Sequence, residues 1–290
     1  MRRTLSVLLS LMVSVTLAAQ SVPSGNLPVA RVGSLDKKVN GTSSLFFLDG
    51  HLWTCNDHGQ LRLYALDTLT GKILSTVDLG VTVYDLEEVT QDSRYLYFGD
   101  FGDNNGVRRD LRILRLAKSD FRKGRYRFDT ILFSYPDRQS GAQARNFDCE
   151  AFAVVGDSLC LFTKQWISQG STCYLLPKKP GRYVARRSVS FNSRGLVTGA
   201  CYLADSRCLV LLGYNITLQP FVCILEDFDG RHFSGGRRML LDLPLGTQAE
   251  GIASRDGSSF FLSNEAFELA FVSRKAALQK VGLMGFIKNK

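Results

Sequence analysis

Five residues with oxygen-bearing side chains, Ser43, Glu87, Glu150, Thr198 and Glu250, each head a short phrase of one repeated form. Brought to one place, they make a ring of two hydroxyls and three carboxylates. Carboxylates packed together at low dielectric repel one another and must be neutralised by protonation or by a cation. A calcium ion suits an irregular cage of hard oxygen ligands that also admits water, whereas magnesium demands a compact octahedron. Calcium is therefore the expected cofactor; the alternative is a hydrated channel with no specific ion.

Each of these five residues opens a hairpin. A tight polar turn comes within a few residues: Asp49-Gly50, Asp92-Ser93, Gly156-Asp157, Asp205-Ser206 and Asp256-Gly257, each succeeded by a run of β-formers. The first large apolar residue of that run lies 9 residues after Ser43, Glu87 and Glu150 (Leu52, Leu96, Leu159), 10 after Glu250 (Phe260) and 11 after Thr198 (Leu209). This constancy favours Ser43 and Glu87 over their neighbours Ser44 and Glu88 as the inward residues.

Third strands are expected at Leu61–Leu66, Leu111–Leu116, Cys173–Leu176, Phe221–Leu225 and Leu269–Ser273, and fourth strands in the first four units only. The ring residues are spaced by 44, 63, 48 and 52 residues, a period suited to four-stranded propeller blades. The fold expected is all-β: a five-bladed β-propeller over residues 29–280, closed by an N-terminal strand at Val29-Ala-Arg-Val32 that completes the fifth blade. Residues 281–290 are expected to be a basic tail, with a helix-compatible Ala-Ala-Leu-Gln just ahead of it.

Residues 1–19 carry two arginines, an apolar run and small residues at the end, the form of a secretory signal peptide, and 20–28 a loose leader. The apolar run is shorter than the roughly 20 residues a membrane span needs. A periplasmic or secreted, monomeric protein is the expectation. The formal charge of +9 is spread over outer strands and turns and is read as a solvated surface rather than a nucleic-acid interface. Seven cysteines lack zinc-type spacing, and Cys160 with Cys173 and Cys208 with Cys223 are candidate cross-strand disulfides. No P-loop, nucleophile elbow or zinc-protease helix is present, so catalytic residues are not assigned.

Loops joining second to third strands fall on the same face as the ring. They bring Asp57, Asp100, Asp103, Lys164, Trp166, Tyr214 and Glu265 around the channel mouth, with Arg108 and Arg145 from adjacent connections. Such a mixture suits a small polar or anionic ligand held beside a metal.

The blade heads resemble those of the calcium-activated nucleotidase (apyrase) propellers, through Ser43-Ser-Leu, Asp49-Gly-His-Leu-Trp-Thr-Cys-Asn-Asp57, Glu87, Tyr95-Leu-Tyr-Phe-Gly99 and Glu250-Gly-Ile252. That resemblance implies a central calcium held by the ring, with Thr198 in the place of a serine; the longer inserted loops of that family are missing. Over most of its length the chain is also similar to secreted bacterial propellers of unassigned role, through Asp85-Leu-Glu87, Gly99-Asp-Phe-Gly-Asp-Asn104 and Asp148-Cys-Glu150. Two functions are implied: a non-catalytic propeller whose top face binds a small polar or anionic ligand or a protein, and, as the alternative, a calcium-dependent hydrolase of a phosphate ester or anhydride.

Overall fold

The computed structural model describes residues 27–232, 238–269 and 272–287. The segment expected to be a signal peptide, residues 1–19, and residues 20–26 of the expected leader lie outside them. Among the described residues no helix is long and apolar enough to cross a membrane.

Each repeat folds into an antiparallel blade whose strands run outward in chain order. Blade 1 comprises Thr42–Leu48, His51–Asn56, Gly59–Leu66 and Ile73–Val83; blade 2 Leu86–Gln91, Tyr95–Asp100, Arg112–Ala117 and Phe128–Ser134. Blade 3 comprises Asp148–Val155, Ser158–Lys164, Ser171–Pro177 and Arg186–Phe191; blade 4 Leu196–Leu203, Cys208–Tyr214, Pro220–Leu225 and Arg238–Asp242. Blade 5 takes Ala249–Ser254, Ser259–Asn264 and Ala277–Gly282 from the end of the chain and Val29–Ser34 from its start. The five-bladed β-propeller closed by an N-terminal strand is thus the observed architecture.

Both faces of every blade are covered by the next, so the second strands are apolar almost throughout. In blade 4, Leu209 and Leu211 pack toward blade 3 while Val210 and Leu212 pack toward blade 5. Five apolar clusters result, one in each gap between blades. The anchors counted in the sequence, Leu52, Leu96, Leu159, Leu209 and Phe260, are all fully buried in them. The first hairpin turns on Asp49 (φ 47°) and Gly50 (φ 88°), the two left-handed residues a type I′ turn needs to match strand twist.

Three expectations are corrected. The third strand of blade 5 is Ala277–Gly282; Phe267–Leu269 and Val272–Arg274 form a separate two-stranded hairpin in the connection. The Ala-Ala-Leu-Gln stretch is accordingly strand rather than helix, with Ala276, Ala277, Leu278 and Val281 buried. Cys208 and Cys223 lie on opposite faces of blade 4, one in each neighbouring cluster, and cannot pair; all seven cysteines are free thiols. Gly181–Val184 also has no counterpart in the repeat: it leaves blade 3 and adds in parallel to the outer edge of blade 2.

Candidate functional site

At every blade head the ladder between inner and second strands slips. The shifts fall between Thr42 and Ser44, Leu86 and Glu88, Cys149 and Ala151, Val197 and Gly199, and Ala249 and Ile252. The residue left out of pairing is in each case the ring residue: Ser43, Glu87, Glu150, Thr198 and, with Gly251, Glu250. A bulge breaks the two-residue alternation and re-aims the extra side chain. The recurring oxygen residue of the sequence is therefore a recurring bulge.

Four of the five, Ser43, Glu87, Glu150 and Glu250, line one cavity of about 180 Å³ at the channel mouth, with Asp57, Asp85, Lys164, Trp166, Tyr214 and Glu265 around them. Thr198 is buried beside it, and its hydroxyl donates to the carbonyl of Ala249 at 2.6 Å. Ser44 and Glu88 turn elsewhere and bond each other at 2.5 Å. Carboxylate oxygens of Glu87, Asp148 and Glu150 lie within 4.8 Å of one another. Gly102 permits this crowding, since a side chain there would collide with the carboxylates of Glu87 and Asp85.

The electrostatics are those of acids lacking counter-charge. Burial, then the charge of Glu150, pushes Glu87 well above the usual carboxylate range. Burial likewise raises Glu150, partly opposed by Lys164. Burial and neighbouring acids raise Asp85 to about 6 and Glu265 to about 9; Glu250, where Lys164 opposes burial, rises to about 7. Among the described residues the sole ammonium lining the cavity belongs to Lys164, whose Nζ lies 2.5 Å from Glu150 Oε1 and over the rings of Trp166 (4.7 Å) and Tyr214 (5.5 Å). Burial works against its charge, but the carboxylates, Glu150 first among them, hold its pKa well above the ordinary lysine value. Ser43 Oγ, also buried, has no hydrogen-bond partner.

The other mouth residues are placed differently. Asp100 is fully buried, receives the backbone N–H groups of Tyr84 and Asp85, and pairs with Arg108 (3.1 Å) and Arg112 (2.8 Å). Asp103 receives the N–H groups of Val107 and Arg108 and pairs with Arg138. Arg108 also binds the carbonyl of Gly102, and Arg145 donates to the carbonyl of Asn104 while stacking on Trp166 at 4.9 Å. These groups brace the Asp100–Asp110 loop against the cavity wall.

Asp85, Asp148, Asn104 and Gln248 were not singled out as site residues from the sequence, yet Asp148 joins the acidic cluster and the other three line the cavity. The signal for two of them was present: Asp85 and Asp148 each stand two residues before a ring glutamate, a spacing that in a regular strand puts both on one side. Asp148 Oδ1 receives the N–H of Asp103 and its Oδ2 the indole N–H of Trp166 at 2.9 Å.

No family profile and no curated relative matches the chain. Among solved structures it is similar to glutaminyl cyclase of Myxococcus xanthus, at 13% identity and a TM-score of 0.51 over 88% of this chain and 96% of that one. It is similar also to the PQQ-bound aldose sugar dehydrogenase of Streptomyces coelicolor, at 12% identity and a TM-score of 0.50 over 90% and 99% of the two chains. At these identities the likeness shows a shared β-propeller fold and nothing further.

Proposed function

We propose that this protein is an exported, calcium-centred propeller that holds a small polar ligand, or a polar segment of a partner protein, at its channel mouth without transforming it. One observation carries this reading: seven carboxyl groups, the six that line the cavity and Asp148, converge on a space with a single ammonium. Among the described residues the candidate metal donors are all oxygens, with no histidine or cysteine lining the cavity, which favours a hard cation in an irregular cage. Glu87, Asp148 and Glu150 would hold the ion, and Ser43 Oγ supplies a donor still lacking a partner. The surplus of negative charge repels a free anion, so the ligand is neutral or reaches the site through the cation.

The hydrolase alternative draws support from Asp85, whose carboxyl sits at about 6 beside Glu87, a value suited to a general base near neutrality. Against it, the arginines that would neutralise a phosphate, Arg108 and Arg145, are bound to the loop and to Trp166. Calorimetric titration with calcium, and then a panel of nucleotides and phosphoesters with and without chelator, tests both. The binding reading expects a single saturable calcium site, weakened at least about tenfold by Glu87→Gln, and no turnover. Chelator-sensitive turnover lost in Asp85→Asn would replace it by the hydrolase, and absence of any calcium binding would remove both.

A further inference from the structure

A second opening lies beside the acidic mouth, between the blade 4 to blade 5 crossover and the closing blade, and its chemistry is the opposite. Its cavity of about 320 Å³ is lined by Arg31, Arg274 and Lys275 together with Thr247, Asn264 and Gln279, and among the described residues no carboxylate lines it. None of the three cations pairs with a carboxylate among the described residues. Arg31 spends one nitrogen on Ser34 Oγ at 2.7 Å. Arg274 is oriented by its Nε on the carbonyl of Gly246 (3.1 Å) and Nη1 on that of Ser273 (3.3 Å), which leaves Nη2 free to donate.

The amide of Asn264 is fully engaged. Asn264 Oδ1 takes the amide of Gln279 at 2.7 Å, and its own amide is held by the carbonyls of Glu265 and Lys275. Thr247 is 95% buried (5% exposed), and its hydroxyl has no partner. An unbonded buried hydroxyl is destabilising unless something fills its place. A lining of guanidinium, ammonium and hydroxyl donors with no competing acid is the complement of an oxyanion.

We infer that this pocket binds a tetrahedral oxyanion, the phosphate or sulfate group of a small ligand, with Arg31, Arg274 and Lys275 supplying charge and Thr247 a buried hydrogen bond. The site is walled from the acidic cavity by Asn264 and Glu265, so it stands independently of calcium there.

The test titrates the full-length folded protein with inorganic phosphate and with sulfate by calorimetry, at ionic strength matched with chloride; methyl phosphate and methyl sulfate form a second arm. Saturable one-site binding, weakened at least about tenfold by Arg274→Gln and by Thr247→Val but unchanged by Arg182→Gln on the far edge of blade 2, supports the site. Preference for the esters identifies a group carried on a larger molecule; preference for the inorganic ions identifies the free anion. Arg274 is exposed and off the apolar core, so its variant keeps the test decisive if Thr247→Val fails to fold. No saturable binding, or binding that Arg274→Gln leaves intact, would overturn the assignment.

Discussion

Glu88 on the inner strand of blade 2 accepts a hydrogen bond at 3.0 Å from the backbone N–H of Ala200 on the inner strand of blade 4. Its other oxygen takes the hydroxyl of Ser44 from blade 1 at 2.5 Å and the N–H of Val89 at 3.0 Å. One buried carboxyl therefore ties three blades together just beneath the mouth. Burial raises its pKa well above the usual range despite these donors.

Glu88→Ala would strip Ala200 N–H and the Ser44 hydroxyl of their partner in a closed site. The expected loss is about 3 kcal/mol of unfolding free energy, and about 1 kcal/mol for Ser44→Ala. Urea denaturation measures both. A loss under about 1 kcal/mol in Glu88→Ala would show that the hub does not depend on this tie.

Lys164 competes with any cation for Glu150. Lys164→Met removes a positive charge from beside the proposed ion, so calcium affinity should rise by at least about tenfold, or about 1.4 kcal/mol. Calorimetry on the folded variant reads this directly. A fall in affinity would mean that calcium does not sit next to Glu150.

The pH dependence is set by the acids of the mouth. Asp85, Glu250 and Glu265 titrate at about 6, 7 and 9 in the folded chain, above their ordinary values of 3.8, 4.5 and 4.5. The folded state thus binds more protons than the unfolded one across this window, and stability falls as pH rises from about 4 to about 9. Calcium takes the deprotonated form, so its stabilisation should grow with pH and offset that decline. Melting temperatures with chelator and with calcium, from about pH 5.5 to 8.5, check the sign. A chelated protein that melts at higher temperature as pH rises contradicts it.

The fold was legible because each blade repeats one hairpin, and its anchors, Leu52 to Phe260, must be apolar to fill the gap to the next blade. The ring residues were legible through the same period, although the bulge that aims them was not: a bulge shows itself only against a partner strand. Asp100, Asp103 and Arg108 stand out in sequence as part of an oxygen-rich loop, but the bonds that fix that loop do not. Their distant partners, Arg112, Arg138 and the backbone N–H groups of Tyr84 and Asp85, are set by tertiary contact. Blade 5 was misread because the Phe267–Arg274 hairpin has the β-forming character of a third strand and comes first.

The position of the third strand of blade 5 makes the end of the chain part of the closure. Ala277–Gly282 lies between Ser259–Asn264 on one side and Val29–Ser34 on the other, and pairs with both. Leu278 is fully buried against Leu45 and Leu52 of blade 1, and Val281 against Phe260 and Leu262. A chain ending at Lys275 loses these contacts, and the N-terminal strand loses its only partner strand among the described residues, so the ring cannot close. The expected outcome is loss of the cooperative thermal transition, whereas Leu278→Ala in the full chain keeps the transition at a cost of about 2–5 kcal/mol. If the truncated chain melts cooperatively within a few degrees of the full-length protein, closure does not depend on this strand, and the pairing of the two ends of the chain is wrong.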